Sequence, residues 1–106
     1  MLFTARIMTL KFRIEYFTRN NEYIALVVEG QRGQKVYPMV EEYGVWECQI
    51  KHSASSVTYH YELRQGDTTL RSEWGEPHHI ANTEACHTLH IHDHWRTMPD
   101  DRALRS

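Results

Sequence analysis

The sequence predicts an all-β fold, an antiparallel immunoglobulin-like β-sandwich of about seven short strands. Three observations point to it. Leu10 to Tyr16 alternates apolar and charged residues without a fault, which is the two-residue period of a half-buried strand. Val57, Tyr59, Tyr61 and Leu63 repeat that alternation and run into Gln65-Gly66-Asp67, a hairpin turn signal. No segment carries a helical apolar period of useful length.

Taken in order, the first strand ends near Tyr16, and Asn20-Asn21 marks a turn. Tyr23 to Val28 is a continuous apolar run, consistent with a buried strand. Gly30, Gly33 and their polar neighbours read as a loop. Trp46, Cys48 and Ile50 alternate with Glu47, Gln49 and Lys51, giving another half-buried strand. Ser53 to Ser56 is a polar connection before the Val57–Leu63 strand, and Thr68 to Trp74 returns as its partner. Gly75-Glu76-Pro77 breaks that partner strand, because proline has no N–H for a ladder. Thr88 to Trp95 closes the chain with Leu89 and Ile91 on one face and His90, His92 and His94 on the other. Strands at this spacing suit a two-sheet sandwich.

A chain of 106 residues suits one domain, and is short for a metabolic enzyme that also carries a binding module. The formal net charge of −2 and the absence of a basic run remove the electrostatic footprint of a nucleic-acid binder. No apolar stretch approaches the roughly 20 residues of a membrane helix. The first residues are too short and interrupted for the apolar core of a secretory signal, which leaves a cytoplasmic chain or one whose signal has been removed; the cytoplasmic location is the one expected. The two cysteines, Cys48 and Cys86, are fewer than a disulfide-stapled secreted domain usually carries. Cys48, within an apolar alternation, reads as a core thiol, with a bridge to Cys86 as the alternative. Residues 1–8 are expected to be an N-terminal extension, 9–96 the sandwich, and 97–106 a charged linker toward a downstream domain. The pattern begins right after Met8, which makes Met8 a candidate natural start.

Four segments carry a family resemblance. The chain has Gly44-Val45-Trp46 before the middle strand and Val57-Thr58-Tyr59-His60-Tyr61 in the next. It then has Arg71-Ser72-Glu73-Trp74-Gly75-Glu76-Pro77, and closes on Asp93-His94-Trp95-Arg96. In this order and spacing they resemble the family 20 carbohydrate-binding modules, the starch-binding domains, from about Thr9 to Arg96. Among these the sequence is most similar to the N-terminal modules of 4-α-glucanotransferases of the amylomaltase or disproportionating type. Three positions depart from the family. The tryptophan-bearing stretch after the second strand is shortened to Glu29–Lys35, His60 stands at a lysine, and Asn20 stands at an aromatic.

The resemblance implies a non-catalytic module that holds α-1,4-glucan (starch, glycogen or maltodextrin) for a covalently linked catalytic domain. No cofactor is implied. A glucose ring offers an apolar C–H face to an exposed aromatic and hydroxyls to polar neighbours. The resemblance places Trp74 as the stacking ring, with His60, Glu73, Glu76 and His78 orienting hydroxyls. It places Trp46 and Tyr43 at a possible second sugar site, although the alternation around Trp46 suits core packing equally. Trp95 reads as core.

His90, His92 and His94 share one strand face with Cys86 and His87 nearby, an arrangement that either binds a transition metal or is a solvated face. The solvated face is preferred, and no metal is expected. Glu41-Glu42 and Glu73/Glu76 are paired carboxylates, but a glycosidase pair needs a cleft that a bare sandwich seldom provides. No nucleophile elbow or phosphate-binding glycine loop is present. The competing functions are therefore a glucan-binding module, a sandwich spacer or protein-contact module without sugar binding, and, less favoured, a histidine-based metal-binding domain.

Overall fold

The computed structural model describes residues 7–81 and 87–98. Cys86, most of the expected linker and most of the expected N-terminal extension lie outside these residues. Nine strands occur among the described residues: β1 Met8–Glu15, β2 Glu22–Gly30, β3 Gly33–Pro38, β4 Val40–Glu42, β5 Val45–His52, β6 Ser56–Gln65, β7 Thr68–Ser72, β8 His78–Ala81 and β9 Thr88–His94. They form two facing sheets. One has the order β4-β5-β1-β9, and the other has the order β3-β2-β6-β7 with β8 also paired to β6.

The alternating segments behave as period-2 strands must. Leu10, Phe12 and Ile14 of β1 turn inward, as do Val57, Tyr59, Tyr61 and Leu63 of β6. They meet Ile24, Leu26 and Val28 of β2, Trp46 and Ile50 of β5, and Ile91 of β9 in one core. β2 reads as an unbroken apolar run because it is buried on both faces. Ala25 and Val27, in the other row of β2 from that core, are also buried. Glu62 and His60 of β6 flank them in register, with Pro38 and Val36 of β3 on the other side. β1 opens at Met8, whose side chain is already in the core.

Three short strands add to the sequence reading. The Gly30–Gly33 segment is a tight hairpin in which these two glycines pair and Gly33 adopts φ +120°. It launches β3, an edge strand whose side chains are mostly exposed. At Met39, which is buried, the chain leaves one sheet and enters the other as β4. β8 follows Pro77 and pairs with the first half of β6. One pairing also departs from a purely antiparallel sandwich: β9 lies parallel to β1, with Phe12 opposite Ile91.

The ten-residue strand β6 has two short partners on one side. β7 covers Glu62 to Gln65 and β8 covers Ser56 to Tyr59. Residues 73–77 form the gap between them, opposite His60 and Tyr61. Pro77 cannot donate a ladder hydrogen bond, and Gly75 adopts φ +95°, a left-handed conformation that an L side chain resists. The chain therefore leaves the sheet edge here and carries Trp74 outward.

Candidate functional site

Beneath this gap lies a closed polar network. Tyr59 and Tyr61 are alternate residues of β6, so both point inward. Both hydroxyls donate to Oδ2 of Asp93 on β9, each at 2.7 Å, which ties the two sheets together. Burial, assisted by the Asp93 hydrogen bonds and charge, holds both phenols far above the ordinary tyrosine range, so they stay protonated donors. The His78 imidazole stacks on Tyr59, with ring centres 4.9 Å apart and planes 17° apart.

Glu73 occupies the centre. Its side chain is fully buried. Oε1 accepts the Tyr61 backbone N–H at 3.2 Å and lies 2.9 Å from Nε2 of His78. Oε2 accepts the Arg96 backbone N–H at 3.1 Å, and the Arg96 Nε lies 3.5 Å away, an ion-pair contact without hydrogen-bond geometry. A buried carboxylate is tolerated only when its lone pairs are filled in this way.

Trp74 is held from both sides. Its N–H donates to the Arg96 carbonyl at 3.0 Å, and the preceding Glu73 N–H donates to the Tyr61 carbonyl at 3.1 Å. The Arg96 guanidinium crosses beneath the turn and donates to the Glu76 carbonyl. The backbone is thus fixed while the indole remains 49% exposed. The ring borders a shallow groove of about 510 Å³, together with Arg71, Gly75, Trp95, Arg96 and Met98. An aromatic face on a rigid turn beside guanidinium groups can stack a sugar ring and donate to its hydroxyls.

The other expected site residues are dispersed. Glu76 is at the exposed tip of the same turn. His78 is half-buried and engaged with Glu73 and Tyr59. His60 lies on the outer face of its sheet, 2.9 Å from Glu62, and does not border the Trp74 groove. Trp46 is 5% exposed, packs in the core and donates its indole N–H to the Tyr16 carbonyl at 3.1 Å. Its ring faces the interior rather than a ligand, because position 46 falls on the inward row of β5. Tyr43 is fully displayed, at φ +54° on the turn between β4 and β5. Trp95 is half-buried against the core, its ring 4.6 Å from that of Tyr16.

His90, His92 and His94 project from the outer face of β9, and the rings of His92 and His94 are 5.4 Å apart. Among the described residues, no three His, Cys, Asp or Glu side chains are arranged to hold a metal ion. Cys48 is half-buried against the core, and burial raises its thiol pKa.

Sequence reasoning overlooked Phe17 and gave no role to Arg71. Phe17 is 93% exposed just after β1. Its signal is local: Tyr16-Phe17 breaks the alternation with two adjacent aromatics at a strand end, so the two rings cannot both face the core.

No protein-family model matches the chain, and no curated protein matches it. Solved structures do. The chain resembles part of a glycoside hydrolase family 15 glucoamylase from Hypocrea jecorina, with a TM-score of 0.70 and 13% identity. That likeness covers 89% of this chain and 18% of the glucoamylase. It also resembles part of the gamma-CGTase of alkalophilic Bacillus clarkii, with a TM-score of 0.66 and 16% identity, covering 88% of this chain and 16% of the enzyme. The chain thus spans under a fifth of either enzyme, and what it shares with them is the sandwich fold.

Proposed function

We propose that the chain is a non-catalytic starch- or α-glucan-binding module. One observation carries the reading: a half-exposed Trp74 indole on a turn whose backbone is clamped by Glu73 and Arg96. A fixed backbone leaves only the side chain to be ordered when the ring stacks on a glucose, so more of the contact energy survives as affinity. The ordered segments that resemble family 20 modules support the reading. So does the likeness of fold to a small part of a glucoamylase and of a CGTase.

In this proposal Trp74 stacks on one glucose and the exposed Glu76 carboxylate meets its hydroxyls. Glu73 and His78 act through Trp74, because their polar atoms are already engaged inside the protein. His60 faces Glu62 on the outer sheet face and contributes little at this position. The finer proposal is that the module serves a cytoplasmic 4-α-glucanotransferase-type enzyme, holding maltodextrin or glycogen-like substrate near a linked catalytic domain. The coding sequence downstream of Ser106 tests that part.

With one stacking ring at this groove, a dissociation constant for maltoheptaose of roughly 0.1 to 10 mM is expected, on the order of −3 to −5 kcal/mol. Electrophoresis through a gel containing soluble starch is the test. The wild-type chain should be retarded, and Trp74→Ala should run as it does in a gel without starch while keeping its melting temperature. An unretarded wild type would overturn the proposal and favour a spacer module, a role consistent with the internal engagement of Glu73 and His78.

A further inference from the structure

Where β2 turns into β3, one end of the sandwich holds a groove of about 580 Å³. It shares no lining residue with the Trp74 groove. Its floor is apolar. Val28 of β2 and Ile50 of β5 are core residues that line it, and the partly buried Tyr37 lies beside them. The size is that of a small-molecule site, for which roughly 300–1,000 Å³ is usual.

The rim is cationic. Lys35 stands opposite Val28 in the β2–β3 ladder, so it falls on the row of β3 that faces the other sheet. A lone inward lysine on an edge strand serves to discourage stray pairing. Here Arg32 joins it on the same groove from the hairpin turn. Among the described residues, neither Arg32 nor Lys35 has an acid or hydroxyl partner, whereas Arg64, Arg71 and Arg96 each have one. The nearby charges are already engaged. Lys51 gives its ammonium to the Thr9 hydroxyl at 2.7 Å, and Oε1 of Glu29, the one acid of the groove, accepts from Gln34 at 2.9 Å. Two free cations beside an apolar floor select an anion that also has an apolar face. A guanidinium fork takes two oxygens and an ammonium a third. A phosphate ester offers three, and a carboxylate only two.

The rest of the wall narrows the class. Gln31 and Ser53 are uncharged groups that hydrogen-bond hydroxyls. Among the described residues, none of the large exposed apolar side chains, Phe17, Val40 and Trp74 included, borders this groove, so it lacks the contiguous apolar surface of a protein-docking face.

We propose that this groove binds the phosphate monoester of a sugar, with Arg32 and Lys35 on the phosphate oxygens and the sugar's C–H face against Tyr37 and Ile50. The same chemistry is presented by a free hexose phosphate and by a phosphate ester on a glucan chain. The site is separate from Trp74 and does not depend on the glucan-binding function.

Calorimetric titration of the full chain at low ionic strength tests this. The probes are glucose 6-phosphate, glucose, inorganic phosphate and a phosphorylated maltodextrin, with melting temperatures as the folding control. Wild type should bind glucose 6-phosphate with a dissociation constant of about 1 mM, and glucose and inorganic phosphate at least about ten-fold more weakly. Arg32→Gln and Lys35→Gln should each weaken glucose 6-phosphate about ten-fold through a lost charge-assisted hydrogen bond. Arg13→Gln removes the same charge from the outer face of β1 and should change nothing. Trp74→Ala separates the sources. Glucose 6-phosphate bound by this variant assigns a free sugar phosphate. Phosphorylated maltodextrin bound alone, and released by adding Arg32→Gln, assigns a phosphate on the chain. Binding of neither phosphate ester, equal affinity for inorganic phosphate and glucose 6-phosphate, or equal weakening by Arg13→Gln and Arg32→Gln would overturn the proposal. Retardation of the wild type in a starch gel has no bearing on it, so the two sites fail or stand separately.

Discussion

Replacing Glu73 with alanine should cost most of the stability that the Trp74 turn depends on. The carboxylate accepts two backbone N–H groups, from Tyr61 and Arg96, and pairs with the His78 ring and the Arg96 guanidinium. Alanine reaches none of them. A buried donor left without an acceptor costs about 1–3 kcal/mol; the Arg96 N–H is only partly buried and counts for less than the buried Tyr61 N–H, so the two backbone groups together lose roughly 2–4 kcal/mol. Arg96 and His78 are partly exposed and recover some hydration, which adds about 1 kcal/mol rather than a full buried-charge penalty. The total, roughly 3–5 kcal/mol, is a large share of the 5–15 kcal/mol typical of a domain. Urea unfolding followed by tryptophan fluorescence measures it. With a slope of about 2 kcal/mol per molar, the midpoint should fall by about 2 M. Glu73→Gln keeps one oxygen but places an amide N–H against the donors that Oε2 now satisfies, so about half the loss should remain. A Glu73→Ala change below about 1 kcal/mol would refute the argument that this carboxylate is the structural centre of the site.

Four further outcomes are expected. Tyr59 and Tyr61 are held protonated well above the unfolded tyrosine value of about 10, so the folded state keeps protons that the unfolded chain releases. Their contribution is full below about pH 10 and is lost above it, by about 2.7 kcal/mol per pH unit for the pair. Urea unfolding across that range checks the slope, which Tyr59→Phe should halve. Trp46→Phe should lower stability by about 1–3 kcal/mol through lost packing and the lost hydrogen bond to Tyr16, yet leave starch-gel retardation unchanged; lost retardation at unchanged stability would make Trp46 a sugar contact. Gly75→Ala meets no steric block, the Arg96 guanidinium being 3.7 Å from the new carbon, but it strains φ +95° by about 1–2 kcal/mol, which thermal unfolding should register. One equivalent of zinc should leave the melting temperature unmoved, because a tight site would raise it by mass action.

Strand identity was legible wherever one face of a strand is buried and the other wet. β1, β5, β6 and β9 announce themselves because burial repeats every second residue. The edge strands β3 and β4 did not announce themselves. β3 and β4 bury almost no side chain, so selection for a core leaves no alternation there. The four residues of β8 follow a proline that reads as a break. The parallel pairing of β9 with β1 joins segments nearly the full chain apart, and no local turn chemistry encodes that.

The site divides along the same line. The sequence by itself determined that aromatic and acidic residues crowd Arg71–Pro77, and that Gly75 and Pro77 force the chain off the sheet edge there. It did not determine what those residues face. Trp46 and Trp74 are the same residue type, yet one is 5% exposed and the other 49%, because one lies on the inward row of a continuous strand and the other in a gap between two. Glu73 reads as a surface acid beside Trp74, and only the folding of β6, β7 and the segment after β9 around it turns it into a buried hub. Phe17 and Tyr43 are far apart in sequence and become neighbours through Gly44 only once β1 pairs with β5. Local pattern records how often a side chain is buried, whereas which polar groups meet, and which rings share a surface, depends on contacts between distant segments that only the tertiary fold creates.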